Sequence, residues 1–157
     1  EHRELVRLMS NEQSALRDGA FMKALLDVVI PPSEDGKLPG AGSLKLGDQV
    51  ASALEGDATL GPAVEAGLRA VREAASGIDG GFAAMAMAEQ VALIESQAEA
   101  HPMLIVGVTR YLYLAYYQHP AVLVGIGEPG SPRYPGGFEI DPTDPALMDL
   151  LLSRAKS

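Results

Sequence analysis

The chain reads as all-α: a single compact bundle of six or seven helices joined by long loops rich in Gly and Pro. Three observations predict this. Apolar residues recur at helical spacing along most of the chain, β-branched residues are sparse, and no alternating apolar/polar run of strand length occurs. The 11 prolines and 17 glycines fall largely between the periodic stretches, where they stop and restart helices.

Glu4–Leu16 and Ala20–Ile30 carry the first two helical patterns, with Asp18-Gly19 between them as a break or a tolerated irregularity. Phe21, Leu25, Val28 and Val29 fall on one face of the second. Pro31-Pro32 ends it, because proline lacks the donor that the next turn requires. Ser33–Gly42 is a polar loop containing Pro39-Gly40. A short helix over Gly47–Leu54 closes at Gly56. Thr59 is placed to N-cap Leu60–Ala75, with Pro62 in the tolerated first turn. Val64, Leu68, Val71 and Ala75 make the buried stripe there.

Ser76-Gly77 ends that helix, and Gly80-Gly81 forms a hinge before Phe82–Met87 and a helix over Glu89–Ala100. Pro102 opens a helix running to about Tyr117, and Pro120 opens a short one ending at Gly125–Gly127. After a loop to Thr143, Asp144 caps a last helix over Pro145–Arg154, with Leu147, Leu150 and Leu151 facing inward. Neither an internal repeat nor a domain boundary is visible, and residues 1–157 read as one domain.

A domain of this length buries roughly 68–70% of its unfolded surface. The net charge of −9 and the scattering of the 12 basic residues argue against nucleic acid or an anionic membrane as partner. With no cysteine, disulfides, iron–sulfur clusters, thiolate nucleophiles and cysteine-ligated zinc are excluded. No uncharged run is long enough to span a bilayer.

Short motifs yield little chemistry. Gly125-x-Gly127-x-x-Gly130 fits a dinucleotide fingerprint on paper, but that fingerprint needs a helix directly afterwards, and Pro129, Pro132 and Pro135 forbid one. His2, His101 and His119 are not spaced as a helical metal pair, and the latter two each precede a proline at a helix boundary. No Gly-x-Ser-x-Gly elbow occurs, and Glu34, Asp35, Asp141 and Asp144 lack the spacing of a calcium loop. No catalytic, cofactor-binding or metal-ligating residue is expected in this chain.

The Gly127–Thr143 loop stands apart. A loop that long is usually functional or disordered, and it carries Tyr134 and Phe138, two of the eight aromatics. Just upstream lie Tyr111, Tyr113, Tyr116 and Tyr117, of which Tyr113 and either Tyr116 or Tyr117 share a helix face. They read equally as core residues with hydroxyls at the rim or as interface anchors.

In order along the chain, Leu25-Leu26-Asp27-Val28-Val29-Ile30-Pro31, Pro39-Gly40-Ala41 with Gly47, Tyr116-Tyr117, Gly125-Ile126-Gly127, Gly130 and Pro135-Gly136-Gly137-Phe138 resemble the gluconate 2-dehydrogenase subunit 3 family. The similarity runs from about Phe21 to Phe138. It implies a non-catalytic small subunit that binds and stabilises, or helps export or mature, an FAD-dependent large subunit. That partner is of the glucose–methanol–choline type and oxidises sugars or polyols. The FAD is then held by the partner, with no cofactor in this chain. Members often carry a twin-arginine leader; this chain opens at Glu1, which is compatible with a removed leader and then with a periplasmic location, and with a cytoplasmic one otherwise.

On this reading Tyr116, Tyr117, Tyr134 and Phe138, with Pro31 and Pro39 of the earlier loop, form the partner interface, and Gly127, Gly130, Gly136 and Gly137 set the long loop's path. Two other classes stand beside it: a small helical enzyme using loop carboxylates such as Asp35 with His119, and a self-assembling helical module.

Overall fold

The computed structural model of the chain describes residues 14–130, together with 145, 153 and 154. Six α-helices and no strand occur among them: α1 (Gly19–Val29), α2 (Gly47–Gly56), α3 (Leu60–Ala74), α4 (Met87–Ala100), α5 (Met103–Tyr116) and α6 (Pro120–Gly125). Three 3₁₀ turns, Ala15–Arg17, Ala41–Leu44 and Phe82–Ala84, join them. The all-helical class holds. Most of the N-terminal Glu4–Leu16 pattern and of the Pro145–Arg154 pattern lies outside the described residues.

The helix expected through Leu16 is interrupted at Ser14, whose backbone is extended (ψ 133°). There the Glu65 carboxylate of α3 accepts the Ser14 hydroxyl (3.0 Å) and the N–H groups of Ala15 (2.8 Å) and Leu16 (3.2 Å), so a distant side chain caps the turn. Asp18 proves to be a true break: its carboxylate accepts the Phe21 N–H (3.1 Å) and N-caps α1.

α3 follows its sequence pattern closely. Val64, Leu68, Val71 and Ala75 are all fully buried, and each Val or Leu so buried is worth about 1.5–3 kcal/mol. Thr59, however, makes no cap. The carboxylate of Asp57, two residues earlier, accepts from Leu60 N–H (2.8 Å) and Thr59 N–H (2.9 Å) at the start of α3, while its backbone N–H donates to the Leu54 carbonyl (3.0 Å) and closes α2. At the start of α4, Glu89 accepts the Ala86 N–H (3.2 Å). Gln90, a buried polar residue, donates to the Phe82 carbonyl (2.8 Å) and so is satisfied.

The core is built where α5 crosses α3 and α2, with α1 and α4 flanking it. Small residues permit the crossing. A Cβ on Gly107 of α5 would overlap Val64, and one on Gly67 of α3 would stand 3.0 Å from Leu104 Cβ. In α1 the buried face is Phe21, Met22, Leu25 and Leu26, whereas Val28 and Val29, expected with Phe21 and Leu25, are only half-buried. The inward face is thus rotated toward Met22 and Leu26.

Candidate interaction surface

The loop after α1 is fastened to the bundle at four points. Asp27 accepts the Gly42 N–H (2.8 Å), and the Ala41 N–H donates to the Ile30 carbonyl (2.9 Å). Tyr116 of α5 donates its hydroxyl to the Pro39 carbonyl (2.7 Å). The fourth point is the close seat of Lys37 and Leu38 on Gly125 of α6, where a Cβ would stand 2.5 Å from the Lys37 carbonyl oxygen. A Cβ on Gly42 would likewise overlap the Lys23 carbonyl. Asp27, Pro39-Gly40-Ala41, Tyr116 and Gly125, scattered in sequence, therefore meet in one cluster.

This geometry divides the expected interface residues. Tyr116 is 1% exposed, its ring in the core and its hydroxyl spent on Pro39, so it anchors the loop and presents no contact surface. That corrects its assignment as an interface residue: helical position turns Tyr116 inward and its neighbour outward. Tyr117 is 51% exposed and packs edge-to-face on Tyr116 (5.2 Å) and Tyr113 (6.0 Å). Pro31 is exposed and Pro39 half-buried. Tyr134, Phe138, Gly136 and Gly137 lie outside the described residues. Gly127 adopts φ +83°, a conformation costly for other residues. Gly130 lies close to Val124, where a Cβ would stand 3.1 Å from the Val124 side chain.

Sequence periodicity missed the larger feature. Val106, Tyr113, Leu114 and Tyr117 are each about half exposed along the outer side of α5, around a single charge, Arg110. Beside this row an apolar groove of about 250 Å³ runs between α1, α4 and α5, floored by Leu25, Leu104 and Val108 and rimmed by Val91, Ile105 and Tyr113. The signal was present as a helix apolar on nearly every side, which in a chain this small must leave some of that surface uncovered.

Residues of the enzymatic reading have local employment. His119 Nδ1 accepts the Ala121 N–H (3.2 Å) and caps α6. Asp35 accepts the Ser33 hydroxyl (2.7 Å) and the Lys37 N–H (3.1 Å), which hold its carboxyl below the usual range. Asp57 accepts the Tyr111 hydroxyl (2.6 Å), and that carboxylate pushes the Tyr111 phenol up. Among the described residues no three His, Asp or Glu side chains gather where a metal could be held, and no helix is long and apolar enough to cross a membrane.

Comparisons with known protein families, with curated proteins and with solved structures found no match. The family resemblance therefore rests on the ordered motifs alone, several of which meet in the loop cluster around Tyr116.

Proposed function

We propose that this chain is a non-catalytic binding subunit that docks on a partner protein through the outer face of α5. One observation carries the reading: Val106, Tyr113, Leu114 and Tyr117 stay about half exposed on a helix that contributes its opposite side to the core. Rigid aromatic rings beside an arginine are the side chains that most often anchor protein interfaces. The partner's chemistry comes from the resemblance: an FAD-dependent dehydrogenase or oxidase of the glucose–methanol–choline type, which this subunit binds and stabilises.

Co-expression with an FAD-dependent oxidoreductase of the glucose–methanol–choline type tests the reading. A stable complex is expected, and Leu114→Ala with Tyr117→Ala should weaken it by about 2 kcal/mol or more while the helical circular dichroism of the isolated subunit is retained. Two well-folded proteins that elute separately would rule the partner out. A complex indifferent to the double substitution would move the interface off α5. Self-assembly is the second reading favoured by the same exposed row, and sedimentation of the isolated chain decides it.

A further inference from the structure

We infer that the hollow around Arg110, on the outer side of α5, seats a carboxylate: an Asp or Glu side chain presented by the partner protein. The inference rests on the reading of that face as the docking surface and adds the chemistry that the partner must bring to it.

The hollow lies toward the C-terminal end of α5 and is lined by Arg110, Tyr113, Leu114, Tyr117 and Gln118. Apart from Leu114, every lining side chain carries an N–H or O–H donor, and no acid lines the hollow. Those donors are unspent. Tyr113 and Tyr117 pack edge-to-face, and Arg110 stands 5.8 Å from the centre of the Tyr111 ring. Among the described residues, none of the four side chains makes a hydrogen bond or an ion pair.

Arg110 differs in this from the arginines around it. Arg17 pairs with Glu55, Arg69 with Glu65 and Arg72 with Asp18. The chain has 21 acidic residues to 12 basic ones, so carboxylates are in excess. Yet Asp57, whose carboxylate Arg110 influences from beyond pairing distance, is spent on the Leu60 and Thr59 N–H groups and the Tyr111 hydroxyl.

Burial decides what must meet Arg110. A partner that covers Val106, Tyr113, Leu114 and Tyr117 also takes this guanidinium out of water, and leaving it unpaired there would cancel much of what the apolar row gains. A carboxylate answers the planar fork with two parallel N–H···O bonds, and the flanking rings keep water from the pair. A free carboxylate ion gains too little, because an exposed pair is weak and screened by salt. A second copy of this chain brings no acid on its α5, and each copy carries a net charge of −9. The occupant is therefore a different protein, with a carboxylate set in an apolar surface.

Dissociation constants of the complex with an FAD-dependent oxidoreductase of the glucose–methanol–choline type test this. Arg110 is exposed, so its variants should keep the helical circular dichroism of the isolated chain. Arg110→Leu enlarges the apolar row, yet it should bind about thirtyfold more weakly, and Arg110→Glu about a hundredfold. When the partner's surface carboxylates are replaced one at a time by lysine, one position should restore binding to Arg110→Glu by about tenfold or more. If Arg110→Leu binds as tightly as the unaltered chain while Leu114→Ala with Tyr117→Ala still weakens the complex, the carboxylate is refuted and the docking face stands. Binding indifferent to Leu114 and Tyr117, or no complex at all, would remove the face and the inference together. An unaltered chain that self-associates in sedimentation, and is monomeric as Arg110→Glu, would give the hollow to a second copy and equally overturn the inference.

Discussion

The inner and outer faces of α5 are made of nearly the same residues and have opposite fates. Leu112 is fully buried; Leu114, two positions on, is 55% exposed. Tyr116 is in the core with its hydroxyl on Pro39, and Tyr117 stands half in solvent. What distinguishes the faces is their neighbours. The inner face has Gly107, which lets α3 approach until Val64 fills the space; the outer face has no helix across from it among the described residues. Hydrophobicity says that a surface wants cover, and close packing says which surface has it.

The widest gap between the faces should appear in the leucines. Leu112→Ala removes a fully buried side chain from the inner face of α5 and should cost about 2–5 kcal/mol, whereas Leu114→Ala should stay within about 0.5 kcal/mol. Urea unfolding of both variants measures this. Similar losses would mean that the outer face is covered within the isolated chain.

Gly107 sharpens the same contrast. Gly107→Ala gains helix propensity of about 0.8–1 kcal/mol, yet its methyl group overlaps a fully buried Val64, an overpacking that costs about 1–3 kcal/mol. A net loss is expected. In a Val64→Ala background the room exists, and the same substitution should become neutral or stabilising. A penalty that persists in that background would place the clash on another residue.

How far the sequence reveals this fold follows from the same physics. The stripe of α3 is legible because its opposite side is polar, so periodicity alone orients the helix. In α5 apolar residues occur on every side, and periodicity carries no orientation; Tyr116 and Tyr117 could be distinguished only once α3 and the Pro39 loop were in place. Prolines 102 and 120 mark helix starts correctly because that signal is local. Asp57 was passed over for Thr59 because its cap reaches across a turn, and Glu65 because its partners lie some 50 residues away. Gly42 and Gly125 read as loop and helix-end glycines, whereas each is also a point of close approach between distant segments.

The adjacent tyrosines give a smaller effect. Tyr116→Phe keeps the ring and removes the hydrogen bond to Pro39, leaving a partly buried carbonyl without its partner, and should cost about 1 kcal/mol. Tyr117→Phe should leave stability unchanged. Chemical denaturation of the two single variants, with faster hydrogen exchange at Leu38 and Gly40 only in the first, would confirm that Tyr116 holds the loop. Equal behaviour would show that the Asp27 and Gly125 contacts suffice without it.

The gentlest test of the two faces is by pH, through Tyr111 on the inner edge and Tyr113 on the outer. Asp57 is held below the ordinary carboxylate range by the Leu60 N–H and then the Tyr111 hydroxyl; Tyr111 is raised, first by its hydrogen bond to that carboxylate. The two shifts act at opposite ends of the scale. A carboxylate with a depressed folded value contributes its stability fully above its unfolded value, about 3.9, and loses it as pH falls through the folded one. A phenol with a raised folded value contributes fully below its unfolded value of about 10, and loses it as pH rises through the folded one. Asp57→Asn should therefore flatten the fall in melting temperature on both the acid and the alkaline limbs. Tyr111→Phe should remove the alkaline contribution and leave much of the acid one, because the backbone donors at Leu60 and Thr59 remain. Tyr113→Phe should leave the Asp57-linked change on both limbs in place. If Asp57→Asn follows the unaltered chain at both ends, the Asp57–Tyr111 hydrogen bond does not form in solution, and α5 is positioned by its packing alone.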